Sequence, residues 1–474
     1  MDFQKLTIHQ ANKLLIEKKI SVKELVDFFY NNANQKNSQY NTYLGFYDDV
    51  QSQINKAQKM IDDGVATKIT GIPIAIKDNI LIDGKIASAG SKILENYKAT
   101  FDSTVIKKLK DAGAIFLGRT NMDEFAMGGS TENSAYGPTK NAFDINRVAG
   151  GSSGGSAVAV ATSCAIASLG SDTGGSIRLP ASFNGVVGLK PTYGAVSRHG
   201  LMAMGSSLDV IGPFTKDVSD SELIFDLIKG KDKYDSTSSD GQKEKEILQN
   251  KNIKKIGVPF SYLKDGIDSD VLENFNKSIE KFKANGYEIV DIKLPNLKYS
   301  LAVYYTLMPA EVSSNMARYD GVKFGSKISG EKLIDDYLKT RGNLLGKEVR
   351  RRIILGTYVL SAGYADEYYN KAWQVRNMIK GDFVNAFKEV DVILMPTSPT
   401  PAFKIGEKIN DPLTMYLADI FTVFVNLVGV PAISIPDGFV KRDDKNLPTS
   451  IQLIAPHFCE QVLFEIGKKF ETIQ

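Results

Sequence analysis

Only two cysteines, Cys164 and Cys459, and three histidines, His9, His199 and His457, occur in 474 residues. Two cysteines are too few for a disulfide framework or a cysteine-rich zinc site. Three histidines far apart in sequence lower the prospects of a His-ligated zinc centre and of a Ser-His-Asp triad. Charge of one sign is also missing. Lys and Arg number 58 against 55 Asp and Glu, a formal net charge of +3, and so nothing demands a nucleic-acid or membrane partner. One short basic run stands at Lys347 to Arg352. No apolar run reaches the roughly 18 residues of a membrane helix. The opening "MDFQKLTIHQANKLL" has no basic region followed by an apolar stretch, and it carries an acid at position 2, unlike a leader or transit peptide. The expectation is a soluble chain of a reducing compartment, the cytoplasm, with no metal site and no membrane partner.

The composition present, 43% hydrophobic and 24% charged, suits an ordinary globular core. Thr7 with Gln10, and Ser21 with Glu24, have capping-box spacing, so the first 65 residues read as a helical segment packed on the rest. From Gly71 the texture changes. "GIPIAIK", "AIFLG", "IASLGSDT", "KKIGVPF", "YEIVDIKL", "VDVILMPT", "PAISIP" and "SIQLIA" read as short strands. Helices are expected between them, among them 268–285, 362–387 and 413–428. Strands alternating with helices predict an α/β fold with a mixed or mostly parallel sheet and helices on both faces. Residues 230–252 are polar and poor in apolar side chains, and read as an exposed connection between two halves.

Three features concentrate small and polar residues: "KDN" after the strand ending at Lys77, "GGSSGGS" at 150–156, and "DTGGS" at 172–176. Neither glycine loop supplies the lysine of a P-loop or the spacing of a dinucleotide fingerprint. Acyl transfer is the other chemistry such a loop suits. It needs a nucleophile, a base and amides aimed at the developing oxyanion. The glycines before Ser176 permit a tight turn on which the amides of Thr173, Gly174, Gly175 and Ser176 can converge. With histidine scarce, a lysine held neutral by burial can serve as base. On the residues alone, Lys77 stays open between that role and a surface position after a strand. Asp172 suits holding the turn through backbone amides, and Arg178 suits a structural ion pair.

The stretches "GIPIAIKDNI", "GRTNMDEFAMGGSTENSAYGPTKN", "AGGSSGGSAVAVA" and "SLGSDTGGSIRLPASFNGVVGLKPTYGAVSRHGLMAMGSSLDVIGP" closely resemble the amidase signature family. The second of them, with "GKEVRRRIILGTYVLSAGYADEYYNKAWQVR", resembles one branch in particular, the A subunits of aspartyl/glutamyl-tRNA(Asn/Gln) amidotransferases. The resemblance implies the amidase-signature fold over 66–474, a central mixed, twisted sheet covered by helices on both faces. It implies Ser176 as nucleophile, Ser152 as bridging residue on a cis peptide bond, and Lys77 as base. It implies a glutamine pocket with Arg352, in preference to Arg351, on the α-carboxylate and Asp419 on the α-ammonium. Tyr305, Met127 and Gly128 would line that pocket. His199 is expected to pack and not to act as a base.

The resemblance also implies the activity: glutamine hydrolysed to glutamate, with ammonia passed on to convert Glu-tRNA(Gln), and possibly Asp-tRNA(Asn). No cofactor is expected in this chain. ATP and Mg²⁺ are expected on a partner, in a heterotrimer with B and C subunits in which the partner holds most of the misacylated tRNA. Two alternatives remain: a stand-alone amidase acting on another amide, and a catalytically silent binding subunit.

Overall fold

The computed structural model describes residues 2–242, 253–408 and 411–473. Its centre is one eleven-stranded sheet. In chain order the strands are β1 (Tyr43–Phe46), β2 (Pro73–Lys77), β3 (Ile115–Thr120), β4 (Ala167–Asp172), β5 (Val187–Lys190), β6 (Val210–Thr215), β7 (Lys255–Val258), β8 (Glu288–Asp291), β9 (Val392–Pro396), β10 (Ala432–Arg442) and β11 (Lys445–Ile454). Across the sheet they run β1-β3-β2-β4-β6-β5-β10-β11-β9-β7-β8. The sheet is mixed. β2 is parallel to both β3 and β4, and β7 to both β8 and β9; the remaining pairs are antiparallel.

Helices cover both faces, and β10 shows how alternation sorts them. Ile435 meets the helix Glu460–Thr472, where a Cβ on Gly467 would stand 2.9 Å from its Cδ1. Ser434, one residue earlier, belongs to the opposite face. Its neighbour Gln452 accepts from Arg178 at 2.6 Å, and its neighbour Gly188 lies under Ala181, both residues of the helix Arg178–Phe183.

The N-terminal residues form the helices Ile8–Ile16, Val22–Tyr40 and Val50–Asp62. Both capping boxes form at the expected residues; each such cap contributes about 1 kcal/mol. The segment is not purely helical, because β1 adds an edge strand antiparallel to β3. Four residues with one fully buried position show no alternation to read. The helix expected over 413–428 is broken into Pro412–Leu417 and Val423–Val428. The interruption carries Asp419. Of the polar connection, 230–242 is packed in part: Asp235 is buried and paired with Arg198. Residues 243–252 lie outside the described residues.

Candidate active site

β2 and β4 are parallel neighbours, so their carboxyl ends open on the same edge of the sheet. Ligand sites of α/β sheets gather at such an edge. Lys77 is the last residue of β2, Asp172 the last of β4, and the turn to Ser176 follows directly. The β2 segment "PIAIK" is buried throughout, and Lys77 has no solvent exposure. Its Nζ lies 2.8 Å from Ser152 Oγ, 2.7 Å from Ser153 Oγ and 2.9 Å from Ser171 Oγ. Burial lowers its pKa to about 7, against the opposing pull of Asp123, Asp172 and Asp209. The surface position that the residues alone left open for Lys77 is excluded.

Ser152 follows a cis Gly151–Ser152 peptide bond. Its loop is braced by Asp123, which accepts from the amides of Thr131 and Asn133 at 2.8 and 3.0 Å and donates its own amide to Ser152 O at 3.2 Å. Glycine is required at 151 because a Cβ there would fall 2.1 Å from Asp123 Oδ2. Burial raises Asp123 to about 6, although its two amide bonds oppose the rise.

The nucleophile turn is held from below. Asp172 accepts from the amides of Gly175 and Ile177 and from two nitrogens of Arg178, at 2.8 to 3.1 Å. Burial works against its charge, but Arg178 wins and holds the carboxyl at about 2. Arg178, itself fully buried, also reaches Gln452 and Asn426 at 2.6 Å each. Gly175 sits at φ +137°, and a Cβ there would meet Thr422 Oγ1 at 2.3 Å. Ser176 is 7% exposed and its carbonyl accepts from the Ser153 amide at 3.3 Å. Its hydroxyl makes no hydrogen bond to Ser152 or to any other described residue. Of the four amides expected to converge, that of Gly175 is committed to Asp172. Those of Thr173, Gly174 and Ser176 have no acceptor among the described residues.

Beside this turn opens a cavity of about 310 Å³ whose lining includes Gly128, Gly129, Tyr305, Arg351, Arg352 and Asp419. Thr422 couples it to the turn: its amide donates to Asp419 O at 2.9 Å and its hydroxyl to Gly174 O at 2.7 Å. Arg352 is buried, and its Nε donates to Glu348 Oε1 at 2.7 Å. Its guanidinium lies 5.7 Å from the Tyr305 ring and 6.0 Å from that of Tyr416, and these two rings stack at 3.7 Å. Arg351 pairs with the other oxygen of Glu348 but leaves 46% of its side chain exposed. Tyr305 donates to Asp419 Oδ2 at 3.0 Å. Burial raises Asp419 to about 7, with Tyr305 and Arg352 resisting. Met127 corrects one expectation. Its side chain belongs to the main hydrophobic core and is absent from the cavity lining. His199 is stacked between Phe101 and Tyr234.

Sequence reasoning passes over Ser153, Ser171, Asn79, Asp123, Glu348 and Tyr416. Two of them carry a usable signal. Glu348 stands four residues before Arg352 on the helix Lys347–Val359, the spacing that brings side chains together. Tyr416 stands three before Asp419.

Residues 24–464 match the model of the family described as Amidase. The chain is 48% identical over 475 residues to the A subunit of glutamyl-tRNA(Gln) amidotransferase from Halothermothrix orenii, covering 99% of this chain and 98% of that one. It is 52% identical over 425 residues to the protein of the same name from Carboxydothermus hydrogenoformans, 88% and 87% of the two chains. Among solved structures, the glutamyl-tRNA(Gln) amidotransferase A subunit of Thermotoga maritima superposes with a TM-score of 0.78 at 40% identity, covering 98% of this chain and 94% of the other.

Proposed function

Because this chain belongs to the amidase family, we propose that it is the glutaminase subunit of a tRNA-dependent amidotransferase, hydrolysing glutamine to glutamate and releasing ammonia for a partner subunit. The observation that carries this is the buried amine of Lys77, 2.8 Å from Ser152 Oγ at the sheet edge where the Ser176 turn begins. A cavity whose lining includes the buried Arg352 guanidinium and the Asp419 carboxylate opens beside it.

Glutamine enters as a zwitterion with a neutral amide at its far end. Arg352 binds the α-carboxylate through the guanidinium nitrogens left over from Glu348, and Asp419 binds the α-ammonium. Tyr305 fixes the Asp419 carboxylate, and Gly129 leaves room beside it, where a Cβ would stand 3.8 Å from Asp419 Oδ1. The Ser176 oxygen then attacks the side-chain amide carbon. Its proton passes to Ser152 Oγ as Ser152 gives its own to neutral Lys77. The tetrahedral oxyanion is met by the amides of the 173–176 turn that lack acceptors, foremost Thr173, Gly174 and Ser176. Reversal of the relay delivers a proton to the leaving nitrogen, the C–N bond breaks and ammonia departs. Water, deprotonated through the same relay, cleaves the glutamyl ester and restores the Ser176 hydroxyl.

The ammonia serves amidation of Glu-tRNA(Gln), and of Asp-tRNA(Asn) where that is also formed, on a B subunit, with a C subunit completing a heterotrimer. ATP and Mg²⁺ would activate the tRNA-borne carboxylate, and both belong to the partner. Among the described residues no group of three His, Cys, Asp or Glu is placed to hold a metal ion. No helix of the described residues is long and apolar enough to cross a membrane; with both cysteines buried and in the thiol form, the cytoplasm is the proposed home.

Replacing Arg352 with Ala is expected to raise the glutamine KM at least about 30-fold, since a buried charge-assisted contact is worth about 2 kcal/mol or more. Unchanged steady-state kinetics would reject the contact. Asp419 makes KM depend on pH. The carboxylate must be ionised to bind an ammonium, and it is half protonated near pH 7. KM should therefore fall as pH rises through about 7 and level off above it. In Asp419→Asn it should be higher and flat with pH. The decisive experiment is ammonia release from glutamine by the complex purified with its partners, compared with release from simple amides of similar size. Equal turnover of both would favour a stand-alone amidase.

A further inference from the structure

Lys77 has more partners than a base needs. With Cε, the hydroxyls of Ser152, Ser153 and Ser171 complete four directions around Nζ. The Ser171 carbonyl oxygen is a further neighbour, at 3.4 Å the longest of these contacts. A neutral amine offers two hydrogens and one lone pair. With its hydrogens on the nearer hydroxyls, two of them accept from it and only one can donate to it. Which one donates decides whether Ser152 can hand its proton over.

Counting hydrogens settles Ser153. Its hydroxyl donates to Ser171 O at 3.1 Å, and a carbonyl returns nothing, so Ser153 accepts from Lys77. Ser171 is the competitor. Apart from Lys77, its Oγ has one polar side-chain neighbour, the Asn79 amide at 3.0 Å. With the amide nitrogen turned to Ser171, as placed here, the Ser171 hydrogen finds no acceptor except the Lys77 lone pair, and Ser152 is displaced from it. With the amide oxygen turned there, the Ser171 hydrogen goes to Asn79, Ser171 accepts from Lys77, and the lone pair is left for Ser152. A half-turn of the carboxamide exchanges the two. Asn79 is buried, its Oδ1 has no hydrogen-bond partner, and the contact to Ser171 is the single hydrogen bond of its side chain among the described residues. Nothing else fixes the amide.

We infer that Asn79, acting through Ser171, is a positioning residue that directs the Lys77 lone pair to Ser152. This rests on the Ser176–Ser152–Lys77 relay proposed above. The carboxylates that face Lys77 are Asp123, Asp172 and Asp209, and all three stay in place in the variants below.

The test is the pH dependence of kcat/KM for ammonia release from glutamine, measured on the complex purified with its partner subunits. An Asp at 79 is acceptor-only once ionised, so it keeps the lone pair on Ser152 but adds negative charge near the amine. In Asn79→Asp the acid limb should move up by about one unit or more, with the plateau at high pH kept within a few-fold. Asn79→Ala leaves the Ser171 hydrogen free to compete, and the plateau of kcat should drop about tenfold at unchanged KM. Ser171→Ala deprives the protonated amine of an acceptor, so its acid limb should move to lower pH, and Ser171→Thr should restore the original profile. Thermal denaturation checks that each variant is folded, and if either Asn79 variant fails to fold the Ser171 pair decides. The inference is overturned if the limb stays put in every variant, whether the plateau holds or falls by one common factor as a packing defect would make it. Lys77→Ala separates the two layers. Undiminished glutaminase activity in it sinks the relay itself, whereas an inactive Lys77→Ala beside unaffected Asn79 and Ser171 variants sinks only the positioning role.

Discussion

Ser176→Ala is expected to lower ammonia release from glutamine by at least about 10⁴-fold, the scale on which nucleophile removal acts in hydrolases that work through a covalent acyl intermediate. The side chain is small and nearly buried, and its hydroxyl makes no hydrogen bond within the described residues. The turn around it is held by Asp172, Arg178 and Thr422, none of which contacts that hydroxyl. The substitution should therefore remove the attacking oxygen and leave the fold and the pocket as they are. Two further readings follow from that separation. Glutamine should still bind, because Arg352 and Asp419 are untouched. Amidation of tRNA by the assembled enzyme should continue when ammonium is supplied in place of glutamine. Glutamine-driven activity surviving the change would mean that another atom makes the acyl bond, and mass spectrometry of the enzyme trapped with an electrophilic glutamine analogue would show which.

Much of the fold and the site is legible in the sequence alone, for reasons that differ between elements. Strands β2, β3, β7, β8, β9, β10 and β11 announce themselves as short apolar runs with β-branched residues near Gly or Pro. β5 and β6 do not: "VGLK" is four residues long, and "VIGPFT" carries a glycine and a proline that argue against a strand. The break at Asp419 is equally hidden. Its surroundings, "TMYLADIFTVFVNLV", have an unbroken helical look, and the chain departs from it because Thr422 must reach the Gly174 carbonyl. That is a tertiary requirement with no local signal. At the site, Lys77, Ser152 and Ser176 stand out through motif resemblance. Ser171 and Asn79 do not, because their importance lies in bonds made to another strand.

Lys77→Arg should be nearly as damaging as loss of the nucleophile, lowering kcat/KM at least about 10³-fold, although charge and hydrogen-bond donors are retained. A guanidinium stays protonated at any working pH. It can donate to Ser152, Ser153 and Ser171, but it has no lone pair to take a proton from Ser152, so Ser176 keeps its own. Retention of charge is the wrong property here, as the pH profile of the unaltered protein should show. Burial brings the Lys77 amine down to about 7 while Asp123, Asp172 and Asp209 pull it up. Only the neutral form is a base. The kcat at saturating glutamine should therefore rise with pH, reach half its limit near 7, and at pH 5 stand at about one hundredth of the plateau, two units below the midpoint. The Asp419 carboxylate titrates in the same range, so kcat/KM should fall more steeply, toward about 10⁻⁴ of its plateau at pH 5. Measuring kcat at saturating glutamine isolates the amine, since bound ammonium then keeps Asp419 ionised. A kcat that is flat from pH 5 to 8, or an active Lys77→Arg, would show that the proton of Ser176 leaves by a path that does not pass through this lysine.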